Sequence, residues 1–162
     1  MTLSRAKSCG LGRGLLSRAL HIYFLLTRGM TLGVRAIVRS ADGKFLLVRH
    51  SYTPGWHLPG GGVENGETAE RALRRELRQE TGLRLVGTPA LQGVYHNGSV
   101  SGRDHVLVYL CETEGRAEKQ PDGMEIVELG FYALETLPEE TDPGTVRRMR
   151  EVVEGVEPGE DW

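Results

Sequence analysis

Three side chains able to bind a cation stand three and four positions apart in the run RRELRQETGL, Arg74 to Leu83: Glu76, Gln79 and Glu80. On a helix turning about 100° per residue, Ala69, Ala72, Leu73, Leu77 and Leu83 form one apolar stripe. Arg71, Arg74 and Arg78 fall on the opposite face. Glu76 and Glu80 lie inside the stripe, with Gln79 at its edge. An unpaired buried carboxylate costs several kcal/mol, and carboxylates one turn apart repel. A divalent cation against them removes both penalties. The plain alternative is surface glutamates paired with arginines at i±3 or i±4, worth roughly a few tenths of a kcal/mol each.

The segment ahead of this helix, WHLPGGGVENGE, carries three consecutive glycines, Gly60 to Gly62. Packing does not favour such a run; it marks backbone that turns tightly or approaches something closely. Exposed backbone groups near a helix N-terminus suit phosphate or metal contacts. Loop and helix together read as a site for a Mg²⁺-bound phosphate ester or anhydride, since oxygen ligands suit a hard cation.

The run GGVENGETAERALRRELRQETGL, Gly61 to Leu83, resembles the Nudix box of the Nudix (MutT-like) hydrolases. Gly61, Glu67, Arg75, Glu76, Leu77, Glu80, Gly82 and Leu83 fall on its required positions, while Gln79 stands where the pattern has the first of two adjacent glutamates. The resemblance implies a metal-dependent pyrophosphohydrolase, using Mg²⁺ or Mn²⁺ and cleaving a diphosphate linkage in a nucleoside diphosphate derivative or nucleoside triphosphate. It makes Glu76, Glu80 and the Gly60 carbonyl the metal ligands. Arg75 would orient Glu76, and Glu67 would serve an outer metal or the helix entry. Gln79 replaces a charged ligand with a neutral amide oxygen, which implies weaker cation binding and a preference for Mn²⁺. The general base is expected from a later loop or strand, with Glu125 first and Glu128 and Glu112 behind it; solvated strand-end acids are the alternative for each. Arg49 is the candidate phosphate clamp and Trp56 the candidate base-stacking ring, against a strand-face charge and a packing aromatic. His57, His96 and His105 read as structural.

Two alternatives accompany this reading. One is a catalytically weak nucleotide-binding or regulatory module on the same fold, favoured by Gln79. The other, an isomerase acting on an isoprenoid diphosphate, lacks its expected Cys/His/Glu constellation.

These residues need a scaffold. GVRAIVRS and KFLLVRH are β-rich runs joined by Ala41-Asp42-Gly43, which reads as a hairpin. Thr68 is a plausible N-cap for a helix over 69–81 stopped by Gly82. Strand-like runs follow near 91–96, 106–112 and 126–133, and a last helix begins near Asp142-Pro143 and runs through Val153. The expected class is α/β, and the resemblance makes it a Nudix-like α/β/α sandwich with a mixed β-sheet, plus an N-terminal amphipathic helix. The expected parts are a basic helical extension (1–30), the hydrolase domain (31–155) and a polar, frayed tail (156–162).

The chain has 162 residues, 39% hydrophobic and 26% charged, the size and composition of one globular domain. Its two cysteines, Cys9 and Cys111, form neither a zinc motif nor a disulfide framework, which fits a reducing, cytoplasmic setting. The net charge of -2 is uneven: residues 1–30 hold five basic residues and no acid, leaving fifteen basic against twenty-two acidic beyond. The run ALHIYFLL, Ala19 to Leu26, is far shorter than the roughly 20 residues a membrane span requires. Leu15, Ala19, Ile22 and Leu26 recur at helical spacing. The leading reading is a helix docked on the domain or a second subunit, leaving a homodimer open; peripheral contact with a membrane surface ranks below it. No motif for polymeric nucleic acid accompanies the basic charge.

Overall fold

The computed structural model describes residues 22–24, 27, 29–118 and 125–162. The chain divides into two compact units at Met30 and Thr31. In the first, Ile22, Tyr23, Phe24 and Thr27 are helical, and Thr27 Oγ1 donates to the Tyr23 carbonyl at 2.7 Å. The remainder of the expected helix, including Leu15, Ala19 and Leu26, lies outside the described residues.

The second unit holds β1 (Thr31–Val38), β2 (Phe45–His50), β3 (Trp56–His57), α1 (Ala69–Thr81), β4 (Arg84–His96), β5 (Asp104–Glu114), β6 (Ile126–Tyr132) and α2 (Pro143–Glu154). A short 3₁₀ turn, Leu134–Thr136, precedes α2. The strands form two three-stranded sheets, β1-β5-β4 and β3-β2-β6. The first is mixed, with β1 parallel and β4 antiparallel to β5.

Period-2 alternation sends alternate residues of β1 and β2 to two cores. Val34, Ala36, Val38 and Leu46 pack with Ala72, Leu73 and Leu77 of α1. Ile37, Phe45 and Leu47 pack with Tyr95, Val108 and Met149, the last from α2. Helices therefore cover opposite faces of the paired sheets, giving the expected α/β/α layering.

The expected β1–β2 hairpin is corrected. Its turn exists, with Gly43 at φ 82° and the Gly43 N–H bonded to the Ser40 carbonyl at 2.9 Å. Beyond a single Arg39–Phe45 bridge, however, the strands enter different sheets. The edge of β1 that β2 would need is taken by the glycine-rich loop: Val34 N–H bonds the Gly61 carbonyl (2.9 Å), Ala36 N–H that of Pro59 (2.8 Å), and Val63 N–H that of Leu32 (2.8 Å).

The polar end is likewise not frayed. His96 N–H bonds the Glu160 carbonyl at 2.8 Å, and Trp162 N–H returns to the His96 carbonyl at 3.0 Å. The Trp162 indole lies where a Cβ on Gly144 would stand, edge-on to Tyr95 with centroids 6.2 Å apart. Beneath it the Arg148 guanidinium sits 3.8 Å from the Tyr95 ring centroid.

Candidate functional site

Both ends of α1 are fixed locally. Thr68 Oγ1 accepts the Arg71 N–H at 3.2 Å, and Gly82, in the left-handed region at φ 74°, returns its N–H to the Arg78 carbonyl at 3.0 Å. The apolar stripe then seats the helix, so that positions 76 and 80 face the glycine-rich loop. A Cβ on Gly61 would collide with the Glu76 carboxylate, which explains a glycine there. Gly60 has φ 142° and lies so close to the Val34 carbonyl that no side chain fits.

Arg75 ties this corner together. Its guanidinium donates to Glu67 Oε1 at 2.7 Å, to Glu76 Oε1 at 2.6 Å and to the Gly62 carbonyl at 3.1 Å. The Glu67 bond, with Glu76 adding to it, holds Arg75 above its ordinary pKa and Glu67 below its own. Arg75 thus links Glu76, Glu67 and the glycine-rich loop. Gln79 is exposed, its amide oxygen 3.4 Å from Arg75 Nη1.

Glu80 is only 5% exposed. Its Oε2 accepts the Gly60 N–H at 2.7 Å, and its Oε1 lies 3.4 Å from His50 Nε2. Burial pushes the carboxyl up to about 8, opposed by the Gly60 N–H and the Arg35 charge and assisted by Glu76 and Glu125. Burial also brings His50 down to about 4, with the charges of Arg35 and His57 adding. The imidazole is therefore neutral at pH 7 and supplies no counter-charge; its Nδ1 is buried without a hydrogen-bond partner. Among the described residues no cluster of three or more His, Cys, Asp or Glu stands assembled as a cation cage. What stands ready is a pair of carboxylates on one helix face beside loop carbonyls, oxygen donors of the kind a hard divalent cation takes.

The other expected residues separate. Glu125 is exposed, and its charge is felt at Glu80 and at the Tyr52 phenol. Glu128 instead pairs with Arg49, Nη2 to Oε2 at 2.7 Å, so Arg49 would have to leave that partner to clamp a phosphate. Glu112 lines a cleft of about 610 Å³ with Arg39, Gly87 and Thr88. Trp56 is buried in the core with its ring against Tyr132, centroids 5.0 Å apart, which supports the packing role rather than base stacking. His57 bonds the Pro54 carbonyl at 2.8 Å, and the His96 and His105 rings lie 5.4 Å apart.

Three residues at the site carry no sequence signal. Arg35 donates to two loop carbonyls, His50 touches Glu80, and Tyr52, 67% exposed, places its ring 5.2 Å from that of His50. Only the alternation of β2, which turns His50 inward beside Arg49, could have hinted at one of them.

Comparison with known proteins follows the same lines. Residues 29–154 match the NUDIX domain family. A Methanocaldococcus jannaschii protein named "ADP-ribose pyrophosphatase" is 37% identical over 102 residues, 60% of this chain. The chain spans 59% of that protein's length. A Bacillus subtilis protein named "Putative 8-oxo-dGTP diphosphatase" is 33% identical over 127 residues, 78% of this chain and 83% of that one. The crystal structure of a MutT NUDIX hydrolase from Burkholderia pseudomallei superposes with a TM-score of 0.64 at 29% identity, covering 75% of this chain and 97% of that one.

Proposed function

The chain belongs to the Nudix hydrolase family, enzymes of phosphorus-containing acid anhydrides, and we propose that it is a divalent-cation-dependent pyrophosphohydrolase of a nucleoside diphosphate derivative or nucleoside triphosphate. The observation that carries this is Glu80: a carboxyl group 5% exposed in an apolar stripe, held by one N–H and touching His50, with its own ionised form disfavoured by burial and restored by a cation. Such a group is costly to keep unless a cation completes it.

Glu76, Glu80 and the Gly60 carbonyl would hold the ion. Bound there, Mg²⁺ or Mn²⁺ supplies positive charge for the diphosphate oxygens and acidifies water. Arg75 keeps the Glu76 carboxylate aimed at the loop. The Gly60 N–H fixes one oxygen of Glu80 and leaves the other toward the site. Glu125, exposed and coupled to Glu80, takes the proton from the attacking water.

Within this reading residues 31–155 are the catalytic domain, residues 1–30 a basic extension and residues 156–162 a polar tail. The setting is cytoplasmic, and among the described residues no helix is long and apolar enough to cross a membrane. Homodimer formation and peripheral membrane contact through residues 1–30 are tested by light scattering and vesicle flotation. Polymeric nucleic acid is not an expected partner.

The deciding experiment measures phosphate or nucleotide release from ADP-ribose, dinucleoside polyphosphates, nucleoside triphosphates and 8-oxo-dGTP, with Mg²⁺ or Mn²⁺, beside Glu80→Gln. Metal-dependent turnover lost in that variant upholds the reading and ranks the substrates. Nucleotide binding without turnover on any of them overturns it in favour of the binding module, for which the specific observation is Gln79, neutral and turned toward Arg75.

A further inference from the structure

Residues 59–63 pair with β1 as a strand would, and the pairing sorts their carbonyls. Those of Pro59 and Gly61 accept from Ala36 and Val34, within the ladder. Those of Leu58 and Gly60 lie outside these ladder bonds, and the half-buried Arg35 side chain reaches both. Its Nη1 donates to the Gly60 carbonyl at 2.7 Å and to the Leu58 carbonyl at 3.0 Å. Gly60 is thereby held at both ends, its N–H on Glu80 and its carbonyl on Arg35. A guanidinium is always charged and rigidly forked, so this is a fixed cation seated on the backbone oxygen beside the buried Glu80 and the half-buried Glu76.

We infer that Arg35 is a built-in competitor of the divalent cation: it occupies the Gly60 carbonyl, and cation entry requires the guanidinium to leave that oxygen. The inference rests on the reading of Glu76, Glu80 and Gly60 as the cation site. Two features then act in the same direction. Gln79 removes one negative charge from the expected ligand set, and Arg35 adds one positive charge at a ligand oxygen. The site binds its ion weakly, and the ion's arrival rearranges the loop clasp. Arg35 is a positioning residue in the free protein, locking Leu58 and Gly60 in place until the ion takes over the carbonyl.

The test is Mn²⁺ binding to the full chain without substrate, followed by calorimetry and by the paramagnetic resonance of free Mn²⁺. The parent, Arg35→Met, Arg35→Lys and Glu80→Gln are compared at one pH, with circular dichroism to verify folding. Arg35→Met is expected to bind Mn²⁺ about tenfold more tightly, as when a like charge is withdrawn from a partly solvated site. Arg35→Lys, which keeps the charge but loses the fork over two carbonyls, falls between the two. A residue that only props the loop would give the opposite sign, because a loosened loop binds the ion less well. Unchanged or weaker binding in folded Arg35→Met overturns the inference; should Met prevent folding, the same result in Arg35→Lys does so. If Glu80→Gln retains parental Mn²⁺ affinity, the underlying cation-site reading falls as well. Loss of binding in Glu80→Gln beside unchanged Arg35 variants would remove the competitor alone.

Discussion

Helices α1 and α2 each bury ionisable side chains, and each resolves them differently. On α2, Arg148 is 2% exposed and Glu151 8%, but their charges pair through an Nη2–Oε1 bond of 2.7 Å, with Arg148 Nε alone of their polar atoms left without a partner among the described residues. The Tyr95 hydroxyl donates to the second oxygen of Glu151 at 3.0 Å, and the Asp161 carbonyl accepts from Arg148 at 2.8 Å. Burial draws the Arg148 pKa down, and Glu151 opposes the shift. On α1, Glu80 is equally buried yet meets only a backbone N–H and a neutral histidine. A buried charge answered from within the chain is a structural device. An acid left unanswered beside a glycine-rich loop is pushed toward its neutral form, and a cation from outside would restore its charge.

Substitutions should separate the two helices cleanly. Glu80→Gln is expected to lower kcat/KM by about 10³ if Glu80 holds the cation as proposed. Thermal stability should hold or rise, since the amide oxygen can keep the Gly60 N–H bond while the cost of keeping a buried carboxyl protonated above its ordinary pKa disappears. A large fall in Tm would break the contrast. Arg148→Met should do the reverse: about 3 kcal/mol lost in denaturant unfolding, because Glu151 is left buried and unpaired, with kcat of the folded enzyme little changed. Trp162→Ala uncovers that same pair and removes the indole from Gly144 and Tyr95, for about 2 kcal/mol in the same assay. The smallest effect, about tenfold or less, is a gain: Gln79→Glu should lower the Mg²⁺ concentration giving half-maximal activity, and unchanged metal dependence would show that position 79 lies outside the ion's reach. Mn²⁺ should also raise the Tm of the parent but not of Glu80→Gln, as mass action requires of an ion that binds only the folded site.

What could be read beforehand follows the range of the forces involved. The bounds of α1 and the caps Thr68 and Gly82 were legible, because they lie within one short run and obey helical spacing. The α/β class was legible from strand-like and helix-like runs, and the resemblance to the Nudix box supplied the α/β/α layering. The turn at Asp42-Gly43 was local and real, but the sheets its flanking strands join were set by residues 59–63 and by β5, far along the chain. Trp56 misled because an aromatic before a loop looks the same whether it faces solvent or Tyr132. Arg35 was invisible for a related reason. It looks like any basic residue in a strand, and its partners are the carbonyls of Leu58 and Gly60, which every residue type possesses. The tail followed suit: EPGEDW has a polar composition, while its docking depends on a glycine at 144 and an edge at His96.

The pairing of the glycine-rich loop with β1 bears on how such a molecule diversifies. The glycine-rich loop is tethered by peptide hydrogen bonds at Val34, Ala36 and Val63, which ask for glycine at 60 and 61 but for no particular side chain on β1. Surface drift at Tyr52, beside His50, can therefore change what meets the site without recasting the backbone pairing beneath it. Inheritance of the chemistry is in this way uncoupled from inheritance of the substrate.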